Sequence, residues 1–179
     1  EESDTPEEAI DDAALKIDSL LRSQLLARIA DGSPTFFEQV VVDLIVAMGY
    51  GGSREIVAQR LGKSGDEGID GVVNQDPLGL DVVYIQAKRY AKDNTIGRER
   101  IQQFSGALTG QGAGKGVFVT TSSFSKGAIE YAVRVSQKIV LIDGEELARL
   151  MIRYNVGVRS ERTIDIKKLD TDYFEGEPD

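Results

Sequence analysis

Across residues 12–30 apolar side chains return at helical spacing, with Leu15, Leu21, Leu25 and Ile29 among them, which predicts an amphipathic helix. The stretch DGSP at 31–34 breaks it. From Thr35, read as the start residue, TFFEQVVVDLIVAMGY is apolar nearly all round until the glycines at 49, 51 and 52, the pattern of a buried helix. The period then shortens. REIVAQRLG (54–62), IDGVVNQ (69–75) and LDVVYIQAKRY (80–90) read as strands, and DPLG at 76–79 supplies the Pro and Gly of a tight turn joining the last two as an antiparallel hairpin. IGRERIQQFSGALTGQ (96–111) returns to helical spacing, with Ile101, Phe104 and Leu108 on one face. A strand at 115–121, a helix at 125–137 capped by Ser125, a strand at 138–143 and a helix at 144–157 complete the pattern. The order α–β–β–β–α–β–α–β–α predicts an α/β fold, a mixed β-sheet flanked by helices, with helical crossovers around the last two strands.

Composition narrows the chemistry. The 179 residues fit one globular domain with an adequate core, and no apolar run reaches the roughly 18 residues of a membrane span. The absence of cysteine excludes disulfides and thiolate metal sites and suits a cytoplasmic setting. The absence of histidine excludes Ser-His-Asp and Cys-His hydrolases and His-ligated metals. Carboxylate, amide, lysine and hydroxyl groups remain, the donor set of a hard cation such as Mg²⁺. The net charge of −9 is unevenly spread: residues 1–12 hold seven acids and residues 170–179 hold five, with no base in either. Residues 13–169 keep eighteen acids against twenty-one bases, a balance of +3, so a polyanionic partner is compatible with the chain.

Strand alternation assembles a site. In DVVYIQAKRY, Val82, Tyr84, Gln86 and Lys88 share one face and Val83, Ile85, Ala87 and Arg89 the other. Gln86 and Lys88 are then about 7 Å apart along the strand, from the rise of ~3.3 Å per residue. Asp70 opens the partner strand between Gly68 and Gly71, which leave room for a phosphodiester to approach. Asp70 offers Mg²⁺ an anionic oxygen, Gln86 a neutral amide oxygen and Ala87 its backbone carbonyl. Lys88 is the candidate to hold or deprotonate an attacking water or to stabilise the transition state. Glu38, on the preceding helix, is placed to anchor metal-bound water.

An acid followed by Q-x-K on a hairpin, with a further acid on the preceding helix, resembles the Q-x-K variant of the PD-(D/E)xK nuclease superfamily. The ordered blocks FFEQVVVDLIVAMGYGG, GKSGDEGIDGVV, LGLDVVYIQAKRY, IQQFSGALTGQGAGKGVFVTTSSFSKGAIEYA and IVLIDGEELARLMIRYNVGV resemble the Mrr-type restriction endonuclease catalytic domain, over residues 34–159. QAK alone would carry nothing; the blocks in order are specific. The resemblance implies a restriction-endonuclease-like core, αβββαβ with an αβα extension, and Mg²⁺-dependent DNA cleavage, with Mn²⁺ able to substitute, often directed at foreign methylation. It also implies that Asp70, Gln86 and Lys88 are catalytic and that Glu38 is the helical acid. Such proteins commonly carry an N-terminal winged-helix domain, for which too few residues precede Pro34. Residues 1–30 are accordingly expected to be an acidic linker and helix leading from such a domain, 31–159 the nuclease domain and 160–179 an acidic tail. Cutting both strands needs two sites, so a homodimer acting on double-stranded DNA of the nucleoid is expected. Glu67 departs from the family pattern, which favours a small residue there, and leaves the number of metal ions open. A junction or repair nuclease of the same superfamily, and a non-catalytic DNA-binding module with this fold, are the competing readings.

Other features have plainer explanations beside the sharp ones. GQGAGKG (110–116) has the wrong spacing for a phosphate loop, lacks the Ser or Thr after Lys115 and precedes a strand, so it reads as a helix-to-strand turn. Asp66 and Glu67 read as loop acids. Ser122, Ser123, Ser125 and Lys126 stand at a helix start, where they either grip a DNA phosphate or, for Ser125, simply cap. Arg89, Lys92, Arg98 and Arg100 follow the catalytic strand and are candidates for the DNA path, against a solvated loop as the alternative. Gln103 lies on the polar side of its helix, within reach of the site.

Overall fold

A computed structural model describes residues 5–51, 69–76, 80–91 and 93–176. Helix α1 spans Pro6–Asp31, six residues earlier than the apolar spacing alone indicates. Local chemistry sets this start. The Thr5 hydroxyl accepts from the Glu8 N–H, the Glu8 carboxylate accepts from the Thr5 N–H, and Pro6 occupies the first turn, where a missing N–H costs nothing. Only the C-terminal part of the apolar stripe packs: Leu25 and Ile29 are buried and Leu21 partly so, while Leu15, read as part of the same stripe, is exposed along with Ile10, Ile17 and Leu20. Helix α2, Pro34–Ala47, is capped by Ser33 rather than started at Thr35, because Pro34 fits the first helical position and the Ser33 hydroxyl reaches the Phe36 N–H. The expected strand at 54–62 lies outside the described residues, as do three of the four residues of the DPLG turn.

The two strands beside that turn do pair. β1 (Gly71–Asn74) and β2 (Val82–Lys88) run antiparallel, with Gly71 opposite Ile85 and Asn74 opposite Val82. Helix α3 (Arg98–Gly110) carries the chain to β3 (Lys115–Thr120), and α4 (Lys126–Arg134) carries it to β4 (Lys138–Ile142); β2, β3 and β4 are parallel, giving the sheet order β1-β2-β3-β4. Helix α5 (Gly144–Arg153) follows, and a short α6 (Thr171–Glu175) lies within the segment expected to be an acidic tail.

Alternation along the strands sorts the core into two layers. Val83, Ile85, Ala87 and Val119 face α1, α2 and α5, while Phe118 and Ile139 face α3 and α4. Phe118 stacks edge-on against Phe104 of α3 and against Phe124, with ring centroids 5.6 and 5.8 Å apart. Gly116 lets α3 close on β3, since a Cβ there would stand 2.7 Å from the Phe104 ring.

Candidate active site

The site forms where β1 begins and β2 ends. Asp70 precedes β1 and already donates its N–H to the Ile85 carbonyl at 2.8 Å. Ile69 packs in the α3/α4 layer, whereas Val73 packs in the opposite one, so the alternation is broken between them, beside Asp70. The Asp70 carboxylate is fixed twice. One oxygen accepts the Ala87 N–H at 2.8 Å, and the other lies 3.9 Å from the Lys88 Nζ. Because N–H and C=O of one strand residue leave on the same side, the Ala87 carbonyl is also directed toward Asp70. The Lys88 carbonyl leaves on the other side, accepting from the Thr120 hydroxyl at 2.8 Å.

Gln86 and Lys88 project toward α3, on the face opposite α2, and line a cavity of about 300 Å³ with Tyr90, Arg100, Gln103 and Phe104. Gln86 is only 7% exposed, and its amide makes no hydrogen bond to any described residue. The amide faces the cavity and is reached from it, so it is open to a ligand there. The lysine side chain is less enclosed, at 42% exposure.

The remaining predicted residues are placed unevenly. Glu38 is half-buried on α2, which packs on the Val83/Ile85/Ala87 face, and it makes no ion pair or hydrogen bond with Asp70, Gln86 or Lys88. Arg89 turns away from the cavity to donate to the Ala30 carbonyl at the end of α1, a contact across 59 residues of sequence. Arg98 lies over the Tyr131 ring at 5.4 Å, and Arg100 donates to the Gln103 amide oxygen at 3.2 Å. Lys126 stands 3.9 Å from Glu130. Lys92, Asp66 and Glu67 lie outside the described residues. Among the described residues no three acids cluster as a ready metal cage, so Asp70 with neutral oxygens is the donor set available there.

The serines divide by role. Ser125 caps α4, accepting from the Ala128 N–H at 3.2 Å. Ser122 is buried and donates to the Asn94 carbonyl at 2.7 Å, and Ser123 shares a hydrogen bond with Thr95 at 3.2 Å. Thr121, which strand patterning did not single out, clasps both backbone groups of Tyr90: it accepts from the N–H at 2.9 Å and donates to the carbonyl at 2.7 Å. Together they fasten the end of β3 to the segment that leaves Lys88 and positions Tyr90 and Arg100. A run of hydroxyls, TTSS, that begins on the last residue of a strand was the available sign.

Comparison with known proteins follows the same line. The pattern of the Mrr catalytic domain family, described as restriction endonuclease, matches residues 29–151. The type IV methyl-directed restriction enzyme EcoKMrr of Escherichia coli strain K12 is 46% identical over 171 residues, covering 96% of this chain and 55% of the relative. The chain thus spans about half the length of that relative. Among solved structures, the DNA modification-dependent restriction endonuclease AspBHI aligns with a TM-score of 0.55 at 17% identity, over 79% of this chain and 36% of that one. MspJI restriction endonuclease, solved in complex with a 27-mer oligonucleotide, aligns with a TM-score of 0.53 at 25% identity, over 78% and 33%. The four-stranded mixed sheet with its flanking helices is the fold of restriction endonucleases.

Proposed function

This chain belongs to the Mrr-type restriction endonuclease family, and from that premise we propose that it hydrolyses DNA phosphodiester bonds with Mg²⁺, or Mn²⁺ in its place. Asp70, Gln86 and Lys88 carry the reaction. One observation supports this most: the Asp70 carboxylate is pinned to the Ala87 N–H and set 3.9 Å from Lys88, beside a cavity that the Gln86 side chain lines. That arrangement has the chemistry of a cation site, with the Asp70 carboxylate, the Gln86 amide oxygen and the Ala87 carbonyl as the residues to hold the ion. A bound Mg²⁺ supplies neutralisation of charge developing on phosphorus and acidifies water.

The protein's own groups do the rest. Asp70 is kept in one orientation by its backbone hydrogen bond, so no reorganisation is needed when substrate arrives. Lys88 brings three N–H donors on a long stem to the place where negative charge grows during in-line attack. Glu38 is the candidate to order water from the α2 side. Arg98, Arg100 and Lys126, with Ser123 and Ser125, are proposed to border the path of the DNA backbone, and Lys92 joins them by its place in the sequence; Arg89, held at the Ala30 carbonyl, and the buried Ser122 would act there only by supporting these neighbours. Methylated or otherwise foreign DNA is the proposed substrate, in keeping with the methyl-directed relative. An N-terminal winged-helix domain in the longer protein, a homodimer and a cytoplasmic setting on the nucleoid complete the reading; among the described residues no helix is long and apolar enough to cross a membrane.

The test is cleavage of supercoiled plasmid, methylated and unmethylated, in Mg²⁺ and in Mn²⁺, by the native chain beside Asp70→Ala and Lys88→Ala. Cutting by the native chain that both substitutions abolish, with unchanged circular dichroism, is the expected result. Equal cutting by the variants would sink the site, and DNA binding without any cutting would favour a non-catalytic module.

A further inference from the structure

The cavity beside Gln86 and Lys88 has an uncommon lining. It holds two cations, Lys88 from β2 and Arg100 from α3, two neutral amides, Gln86 and Gln103, and aromatic walls, with no carboxylate among the lining residues. The Asp70 carboxylate does not line the cavity: one oxygen accepts the Ala87 N–H and the other stands 3.9 Å from the Lys88 Nζ, so Lys88 is partly balanced while Arg100 has no acid beside it among the lining residues. A cavity of about 300 Å³ with two cations and no acid is matched in charge to an anion.

The basic residues around the site are not equivalent. Arg89 is engaged with the Ala30 carbonyl, Arg98 with the Tyr131 ring, and Lys126 stands beside Glu130. Arg100 alone of these lines the cavity, and among the described residues its side-chain hydrogen bond goes to a neutral partner, the Gln103 amide oxygen. That bond uses one of five guanidinium N–H donors, leaving a fork suited to two phosphate oxygens. Three residues of helical spacing put Arg100 and Gln103 on one face of α3, so Gln103 restricts the arginine rotamer before substrate arrives.

We propose that this cavity is the seat of the scissile phosphodiester and that Arg100, positioned by Gln103, is its second cation, gripping from α3 the non-bridging oxygens that Lys88 meets from β2. The inference rests on the nuclease reading and deepens it: it gives Arg100 a part in the chemical step, where the other arginines contribute to affinity along the backbone. Tyr90, whose backbone is clasped by Thr121, forms one wall of the seat.

The experiment separates rate from affinity. Native protein, Arg100→Ala, Arg100→Lys and Gln103→Leu are compared in single-turnover cleavage at protein concentrations that saturate the DNA, and in equilibrium binding of a labelled duplex in Ca²⁺. Loss of one preorganised donor to a transition-state oxyanion lowers such rates by roughly a hundredfold. Arg100→Ala is expected to show a loss of that order with an affinity change of a few fold. Arg100→Lys should recover part of the rate, and Gln103→Leu should slow cleavage less than Arg100→Ala while leaving affinity intact. A defect of Arg100→Ala confined to affinity, with native rate at saturation, overturns the proposal. If the native chain does not cut at all, the nuclease reading fails for this chain, and the seat is decided separately by NMR. The Arg100 Nε–H resonance, identified by its absence in Arg100→Lys, should shift on addition of duplex in Ca²⁺; a resonance that stays put overturns the seat.

Discussion

Gln86 is enclosed by its neighbours at 7% exposure, yet its amide faces the cavity and hydrogen-bonds no described residue. Because the amide keeps access to the cavity, it carries no buried-polar penalty to relieve, and Gln86→Leu should melt close to the native chain while abolishing metal-dependent cleavage; a variant that still cuts would remove Gln86 from the proposed site. Gly144 poses the opposite constraint. A Cβ there would stand 2.5 Å from the Thr121 carbonyl oxygen, backbone that cannot move aside, so Gly144→Ala should destabilise the fold by about 1–3 kcal/mol in denaturant unfolding. The shared face of Gln86 and Lys88 was legible because alternation along one strand is a local rule: they lie together for the same reason that Val83 and Ile85 share the other face. The partners of Arg89 and Arg98 were not legible. Their contacts join residues far apart in sequence, and a basic residue after an active strand looks the same whether it faces phosphate, a helix end or a tyrosine ring.

Elements are bounded by caps as much as by hydrophobic pattern. The register of α1 and α2 was readable from apolar spacing, while their starts were decided by Thr5 with Glu8 and by Ser33, short-range hydrogen bonds that periodicity does not weigh. The hairpin and the helical crossovers were readable from the sequence, whereas the order of the strands in the sheet came from the structure. The break in alternation beside Asp70 had no sequence sign beyond the glycine that follows. Capping also supplies a way to separate two roles of Ser125. Aspartate caps a helix as well as serine does, so Ser125→Asp should leave thermal stability within about 0.5 kcal/mol of the native chain. If the serine also touches a DNA phosphate, the added charge should weaken duplex binding, most visibly at low salt; unchanged binding would assign Ser125 to the helix alone.

At the scale of the whole molecule, charge and attachment matter more than any single contact. Arg149 donates hydrogen bonds to Glu146 within α5 and holds that carboxyl below the usual carboxylate range. The sign is that of a depressed acid: its contribution is present above the unfolded value and disappears as pH falls through the folded one. The pair is partly exposed, so Glu146→Gln should lower stability at neutral pH by less than about 1 kcal/mol, and the two melting curves should converge in acid. Arg89 gives the architecture a further property. It is the residue next to Lys88, and its guanidinium is fastened to Ala30 near the C-terminal end of α1, a helix of 26 residues whose N-terminal half stands clear of the core. At 1.5 Å per residue the helix is a bar about 39 Å long, seated in the core by its C-terminal end. Leu25 and Ile29 pack in the same core layer as Val83, Ile85 and Ala87, so a pull on the exposed part of the helix would reach the strand that carries Lys88 through that shared core as well as through Arg89.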